Sequence, residues 1–502
     1  MSRMMRGATG ALVDACERPT LLGVLDTPIA EPRLGPDVDE RPGEACGVFG
    51  VYAPGRDTAR LTYFGLFALQ HRGQESAGIA VADGETLTVY KDLGLVAQVF
   101  DEPTLAGLRG DLAIGHTRYS TTGANRWENS QPVYRSVGRN AIALAHNGNL
   151  TNTVELASEV GQIVATTDSE LMAQAIAERM ATTGEDLPDA LAAVLPGLRG
   201  AFTLTVMDKD RLVGVRDPLG FRPLCLGSFD GGWVLASESA ALDIIGAAFV
   251  RDVEPGEMLV IDDDGVHSSR PFPPSDPRLC LFEFVYFARP DSTLYGETVH
   301  GARRRMGRAL AAQAPAQADI VVPVPESGIP AAQGYAEVTG IPYSDGLVKN
   351  RYVGRTFIEP AQSMRDRGIR MKLNPLPDAL DGRRVVLVDD SIVRGSTTRQ
   401  LVQMVRGAGA LEVHLRISSP PYRWPCHYGM DTGDRSTLLA ADRTIQEVAD
   451  FLGVDSLAYL ELGALRDATG VPDAGFCTAC LSGDYPTEVP EADAKFALEV
   501  RP

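Results

Sequence analysis

Residues Arg384–Thr398 restrict the folds open to this chain more than any other stretch. Four consecutive apolar residues, Val385–Val388, run into two carboxylates, Asp389 and Asp390, and then into a loop of Ser, Gly and Thr. Apolar residues then recur at helical spacing through Gln400–Arg406. The order is strand, loop, helix. In that order the backbone N–H groups of Ser391–Thr397 and the hydroxyls of Ser396, Thr397 and Thr398 converge at a helix N-terminus, where the helix dipole favours an anion. A phosphate suits that point, and paired carboxylates at a strand end suit a sugar diol and a hard cation. The plainer reading is a doubly wound sheet in which the Asp pair caps a helix and the loop is a simple turn.

A second strand, turn and helix lies upstream in Asp319–Tyr335, and its turn, Pro325-Glu-Ser-Gly328, offers a place for another anion. Between the two lies Val348–Ile358, basic and glycine-containing, followed by Arg365, Arg367 and Arg370. Such a segment packs poorly as core and suits folding over a polyanion. This half resembles a type I phosphoribosyltransferase domain, with VDDSIVRGSTT close to that family's signature for 5-phosphoribosyl-1-pyrophosphate (PRPP). The resemblance implies that Asp389 and Asp390 contact the ribose and that Ser391, Ile392, Val393, Arg394, Gly395, Ser396 and Thr397 cradle the 5-phosphate. It further implies that Ser327 and Gly328 hold pyrophosphate and that Ser327, Asp389 and Asp390 surround Mg2+. Lys349 and Arg351 would belong to a flexible loop that closes over the substrate.

In the first half, Cys46 stands in Glu-Ala-Cys-Gly-Val-Phe-Gly after a leader of 45 residues unlike anything downstream. Removal of the leader would make this thiol the first residue, and its own α-amine, with an ordinary pKa of about 7.7–8.0, would serve as its base. Polar clusters follow at loop-like positions: Gln70–Glu75, Gly115–Thr121, His146–Leu150 and Thr167–Glu170. The apolar run Ile142–Ala145 reads as a buried strand whose end delivers Asn147 and Gly148, a side-chain amide and an unobstructed N–H suited to an oxyanion. Arg72 and Arg118 suit a carboxylate and Asp168 an ammonium, which together describe a site for a free α-amino acid. Taken singly, Cys46 reads as a core residue, and the arginines and Asp168 as structural pairs. His116 and His146 read as orienting neighbours.

Together CGVFG, LQHRGQESAGI, GHTRYSTTG, HNGNL and TDSE resemble the N-terminal-nucleophile class of glutamine amidotransferases. The resemblance implies that Cys46 attacks the glutamine side-chain amide and that Asn147 and Gly148 stabilise the oxyanion. Arg72, Arg118 and Asp168 would hold the glutamine backbone groups. The two halves in this order resemble the family of glutamine PRPP amidotransferases, over nearly all of residues 46–490. That likeness implies transfer of ammonia to C1 of PRPP, giving 5-phosphoribosylamine and pyrophosphate in the first step of purine synthesis. A closed ammonia passage, feedback inhibition by purine nucleotides and a homotetramer are implied with it. A different ammonia acceptor, or a PRPP sensor without turnover, are the rival readings.

The expected fold is a multi-domain α/β chain, an N-terminal-nucleophile αββα sandwich followed by a doubly wound phosphoribosyltransferase domain. Residues 1–45 read as a propeptide, 46–275 as the amidotransferase domain, 276–470 as the phosphoribosyltransferase domain and 471–502 as a C-terminal tail. Ala59–Phe67 is helix-like, and Ala201–Met207, Leu212–Val215 and Trp233–Ala236 read as antiparallel strands. The Pro- and Ser-rich stretch Ser268–Arg278 marks the boundary.

A formal net charge of -19 argues against nucleic acid and anionic membranes as partners. No stretch approaches the ~20 apolar residues of a membrane span. The leader's apolar runs are broken by Asp14, Glu17 and Pro19, unlike a signal peptide, so a cytoplasmic location is expected. The family likeness implies scission between Ala45 and Cys46. Seven cysteines in a reducing compartment do not read as a disulfide framework. Cys477 and Cys480 have metal or redox spacing, and Cys280 and Cys426 are candidates to complete the set. These four coincide with the positions at which the iron–sulfur subclass of the family binds a [4Fe–4S] cluster; zinc or unliganded thiols are the alternatives. Cys16 and Cys225 receive no role.

Overall fold

The computed structural model describes residues 46–498 apart from 121–122, 139, 162, 164, 351–371, 433, 473–474 and 491–497. The leader with its expected scission after Ala45, and Arg351, Arg365, Arg367 and Arg370, lie outside the described residues.

The first half contains β1 (Gly47–Tyr52), β2 (Ser76–Ala82), β3 (Leu87–Leu93), β4 (Leu112–Arg118), β5 (Val133–Val137), β6 (Asn140–Leu150), β7 (Gly200–Met207), β8 (Leu212–Arg216), β9 (Cys225–Phe229), β10 (Gly232–Ala236), β11 (Ala248–Asp252), β12 (Met258–Asp262) and β13 (Gly265–Ser269). They form two antiparallel sheets, ordered β11-β9-β10-β1-β4-β2-β3 and β13-β12-β8-β7-β6-β5. Side chains alternate faces along each strand, so Val48 and Ala145 enter the layer between the sheets while Phe49 and Leu144 point to the outer layers. Helix Thr58–Ala68 covers the first sheet, and helices Asp168–Thr183 and Leu187–Val194 cover the second. With both faces covered, β1, β2, β4, β7 and β8 are buried along their whole length, which is why β1 and β2 show apolar runs instead of alternation. The four layers are the expected αββα sandwich. Trp233–Ala236 is antiparallel as expected, though its partners are β1 and β9 of the first sheet.

Two expectations change. His116, Thr117 and Arg118 lie within β4, not in a loop, and β6 continues through His146–Asn149, paired with β7 as far as Leu150 and Gly200. Polar residues are tolerated there because the ladder satisfies their backbone groups, leaving the side chains to build a polar end to the inter-sheet layer.

The second half is a parallel sheet in the order Ile320–Pro323, Arg384–Asp389, Glu412–Ile417, Ser456–Tyr459. Leu401, Val402 and Val448 bring helices Ser396–Gly407 and Ile445–Leu452 onto one face. Met306, Leu310 and Tyr335 bring Val299–Gln313 and Ile329–Thr339 onto the other. This is the doubly wound arrangement. Leu279–Cys280 pairs in parallel with Phe476–Cys477, tying the C-terminal segment to the start of this half. From Cys46 onward the contacts do not divide the chain, so the two halves pack as one body.

Helices Val299–Gln313 and Ile329–Thr339 cross at Gly307, where a Cβ would fall well inside contact with the Ala331 carbonyl. Alanine raises intrinsic helix stability by about 1 kcal/mol, but overpacking against immobile backbone costs about 1–3 kcal/mol or more, so the second effect wins. Gly307→Ala should therefore lower the urea midpoint at unchanged m-value, whereas Gly463→Ala, with open space around it, should not.

Candidate active site

Cys46 is the residue immediately before β1 and is 6% exposed. Its Sγ lies 3.3 Å from the Tyr119 carbonyl, to which it donates, and 3.4 Å from the Tyr119 N–H, from which it accepts. Both contacts come from the residue after β4, the strand paired with β1, so sheet register sets the thiol's position. Burial pushes the thiol pKa up, opposed by the hydrogen bond at Tyr119 and by the charge of Arg118. Glu75 and Asp168 act in the same field and raise it. The sulfur's two hydrogen bonds are thus to one peptide group, and two carboxylates and an arginine act on its charge.

Asn147 is on β6. Its side-chain N and O are both fully buried, and neither has a hydrogen-bond partner. An amide left so costs on the order of 1–3 kcal/mol, which a bound polar ligand would recover. Gly148 has φ +152°, and a Cβ there would collide with the Ala201 carbonyl across the ladder. Asp168 opens helix Asp168–Thr183, accepting from Leu150 N–H at 3.0 Å and Ser169 N–H at 2.9 Å, with His146 Nδ1 3.7 Å away. Burial works against its charge, but His146 and those two amides hold its pKa below the ordinary value. His116 hydrogen-bonds the His146 carbonyl, and burial pulls its pKa down to about 3, so it is neutral. Arg118 is 2% exposed, and Glu75, Cys46 and Asp168 all act on its charge. Cys46, Arg118 and Asp168 thus meet electrostatically.

Arg72 departs from expectation. Its Nε donates to the Cys46 carbonyl at 3.1 Å, Nη1 to Glu238 at 2.6 Å and Glu283 at 3.0 Å, and Nη2 to Glu283 at 2.7 Å. With the fork filled by two buried carboxylates, Arg72 supports the Cys46 backbone instead of presenting itself to a substrate carboxylate.

In the second half, Asp389 ends strand Arg384–Asp389 and its Oδ1 accepts from the Asp390 N–H at 2.9 Å, while Asp390 accepts from the Ser391 hydroxyl at 2.6 Å. Ile392 and Val393 bury their side chains in the cores on opposite sides of the sheet, so only their backbones can face a ligand. Gly395, at φ +82°, makes the left-handed turn into helix Ser396–Gly407, whose first residues are Ser396 and Thr397. Arg394 lies in the same loop. The Ser327 hydroxyl oxygen is buried without a partner, and a Cβ on Gly328 would collide with the carbonyls of Val388 and Val324. Lys349, in strand Leu347–Lys349, pairs with Glu326 at 3.1 Å, bringing the base of the expected loop beside the Pro325–Gly328 turn.

All four candidate ligand cysteines are free. Cys280 pairs in register with Cys477, and the charges of Cys426, Cys477 and Cys280 all act on Cys480. Burial pushes Cys280 up to about 11 and raises Cys477 and Cys480 further. Among the described residues, no three His, Cys, Asp or Glu are arranged to hold a metal ion.

A glutamine amidotransferase domain family matches residues 116–243 and a phosphoribosyl transferase domain family matches residues 299–418. The chain is 54% identical over 468 residues to the amidophosphoribosyltransferase of Mycobacterium tuberculosis, covering 90% of this chain and 88% of the relative. It is 54% identical over 466 residues to that of Synechococcus elongatus, covering 91% and 94%. The chain belongs to the amidophosphoribosyltransferase family. A solved glutamine PRPP amidotransferase from B. subtilis, complexed with ADP and GMP, superposes with TM-score 0.83 at 45% identity, over 89% of this chain and 98% of that one. Membership of the amidophosphoribosyltransferase family makes this a glutamine-dependent enzyme that aminates PRPP in purine biosynthesis.

Glu238, Glu283 and Arg222 stand in none of the motifs that mark the site in the sequence. Glu283 had a signal: a single carboxylate inside Leu281–Phe287, an otherwise apolar run, must be paired if buried. Its partners, Arg72 and Arg222, lie 211 and 61 residues away. Arg118→Met removes the cation that lowers the Cys46 thiol pKa, so the rate of Cys46 alkylation by iodoacetamide should rise at higher pH than in the parent enzyme.

Proposed function

We propose that Cys46 is the nucleophile that releases ammonia from glutamine and that the Asp389–Thr397 loop holds the PRPP that consumes it. The first assignment is carried by the orphaned, fully buried Asn147 amide on β6 together with a thiol on which the charges of Arg118 and Asp168 both act. Sγ adds to the glutamine side-chain carbonyl, and Asn147 Nδ2 with the Gly148 N–H stabilises the resulting oxyanion. Ammonia leaves with a proton, the thioester is hydrolysed to glutamate, and the thiol is restored. Arg118 faces the substrate carboxylate and Asp168 its ammonium. Scission between Ala45 and Cys46 would supply the α-amine that takes and returns the thiol proton.

At the second site the 5-phosphate lies against the Ser391–Thr397 backbone at the N-terminus of a 12-residue helix, and Asp389 and Asp390 face the ribose hydroxyls. Ser327 and Gly328 hold the pyrophosphate, with Lys349 and Arg351 closing over it. Ammonia attacks C1, the C1–oxygen bond breaks and pyrophosphate departs. The residues suit Mg2+, which prefers one or two carboxylates plus substrate phosphates to an all-protein cage; Ser327, Asp389 and Asp390 would hold it, and it would neutralise charge on the leaving group. The unpartnered Ser327 hydroxyl supports this.

Cys280, Cys426, Cys477 and Cys480 are assigned to a [4Fe–4S] cluster because they coincide with the ligand positions of the iron–sulfur subclass that the chain resembles; zinc is the alternative. A cluster binds each thiolate at a different corner, whereas tetrahedral zinc needs four sulfurs about 2.3 Å from one point. Purine nucleotides are taken as inhibitors through their phosphates, the assembly as a homotetramer and the location as cytoplasmic. Residues 46–275, 276–470 and 471–502 serve as the glutaminase domain, the phosphoribosyl domain and the cluster-bearing tail.

Cys46→Ala should lower glutamine-dependent phosphoribosylamine formation more than about 100-fold while ammonia-dependent formation survives. Retained glutamine use would overturn the nucleophile. Anaerobically purified enzyme should contain about four irons and four sulfides per chain, and its intact mass should correspond to a chain beginning at Cys46. A colourless, iron-free active enzyme would remove the cluster.

A further inference from the structure

We propose that Glu283, which the sequence places in the phosphoribosyl half, is a positioning residue of the glutaminase site, holding Cys46 through Arg72. The inference rests on the reading of Cys46 as nucleophile. Three sides of the Arg72 guanidinium are committed: Nη1 and Nη2 form a fork on Glu283 at 3.0 and 2.7 Å, Nη1 also reaches Glu238 at 2.6 Å, and Nε reaches the Cys46 carbonyl at 3.1 Å. A planar guanidinium gripped on two nitrogens by one carboxylate cannot rotate without breaking that fork. The direction in which Nε points, and hence the place of the Cys46 backbone, is therefore set by Glu283.

Glu283 is itself immobilised. It is 1% exposed, and its Oε1 also accepts from Arg222 Nη1 at 3.1 Å. Arg222 is fixed in turn by two hydrogen bonds to the Tyr428 carbonyl, at 3.1 and 3.0 Å, and lies over the Phe287 ring. The backbone of Glu283 begins a π-helical turn, Glu283–Phe287, closed by the Ala288 N–H on the Glu283 carbonyl at 3.1 Å. Arg303 ties the far end of that turn by donating to the carbonyls of Phe284 and Ala288, both at 2.8 Å. Residues of the C-terminal half, together with Arg222 and Glu238 of the first half, thus build the rigid support on which the nucleophile's own peptide rests. A structural ion pair would hold two elements together anywhere in the core; this one ends on the carbonyl of the reacting residue.

Glu283→Gln keeps the shape and removes the charge. A misplacement of about 1 Å costs on the order of 100-fold in rate, so glutamine-dependent kcat should fall about 10- to 100-fold with KM for glutamine little changed, while ammonia-dependent amination of PRPP is retained. If Glu283→Gln does not yield folded protein, Glu283→Asp, which keeps the charge but withdraws the carboxylate by one methylene, should show the same split. Equal loss of both reactions, a rise in KM alone, or no change in either variant would overturn the inference. Cys46→Ala in parallel separates the two claims: if it abolishes glutamine use while Glu283 variants behave as parent, only the positioning role fails, and if it leaves glutamine use intact, the nucleophile reading fails.

Discussion

Four charges buried at the junction of the two halves govern how this molecule is assembled. Arg72, Arg222, Glu238 and Glu283 are each no more than 1% exposed, and they neutralise one another. Burial works against the Arg72 charge, yet Glu283 and Glu238 keep it protonated; Glu238 in turn is held well below the usual carboxylate range, burial notwithstanding, by His71 and Arg72. Removing one partner from such a set costs on the order of 3–5 kcal/mol because the remaining charge has nowhere to go. A hydrophobic cluster would hold the halves together as well. What charges add is direction: every acceptor and donor fixes an angle, and one of those angles ends at Cys46.

The same junction reaches the thiol cluster. Arg222 Nη1 lies 3.8 Å from Cys280 Sγ, and its charge lowers a thiol that burial pushes up. Phe221, beside Arg222, stacks on Tyr428 with ring centroids 4.2 Å apart, and Tyr428 N–H reaches Cys426 Sγ at 3.4 Å. Phe221, Tyr428 and Ala479 therefore form one small core with Ala201 of β7, against which Cys426 and Cys477 pack, while Cys280, Cys426 and Cys480 pack against the larger core of the second half. That core explains why the C-terminal segment does not hang free: its short ladder of two residues would be marginal alone, and packing against Phe221 and Tyr428 supplies what the ladder lacks.

The Asp389–Thr397 loop is organised differently, by backbone rather than by charge. Ile392 and Val393 anchor it in two separate cores, the Leu439 N–H holds the Val393 carbonyl at 2.8 Å, and Gly395 turns it into the helix. With the apolar side chains anchored in the two cores, only the backbone of these residues is left to meet an anion through N–H donors. The cluster of Cys46, Arg118, Asn147 and Asp168 is not built that way, since these groups come from the residue before β1, from β4 and β6 and from the first turn of helix Asp168–Thr183, and depend on sheet register instead.

Local patterns therefore settled much of this protein without tertiary help. The strand, loop and helix at Arg384–Gly407 were legible because a run of apolar residues, an acidic pair and a Ser/Gly/Thr turn are contiguous, and contiguous segments obey local rules. Cys46, Arg118, Asn147 and Asp168 were legible as polar groups interrupting apolar runs, although the strand character of residues 116–118 and 146–149 was not, since ladder pairing satisfies a polar strand only when the partner strand is known. The role of Arg72 could not be read, because Glu238 and Glu283 lie 166 and 211 residues away and no spacing rule connects them. Chemistry that resides in one segment was written in the sequence; chemistry that requires a guanidinium and two carboxylates to meet across a domain junction was decided only by folding, because charge pairing depends on distance in space and not along the chain.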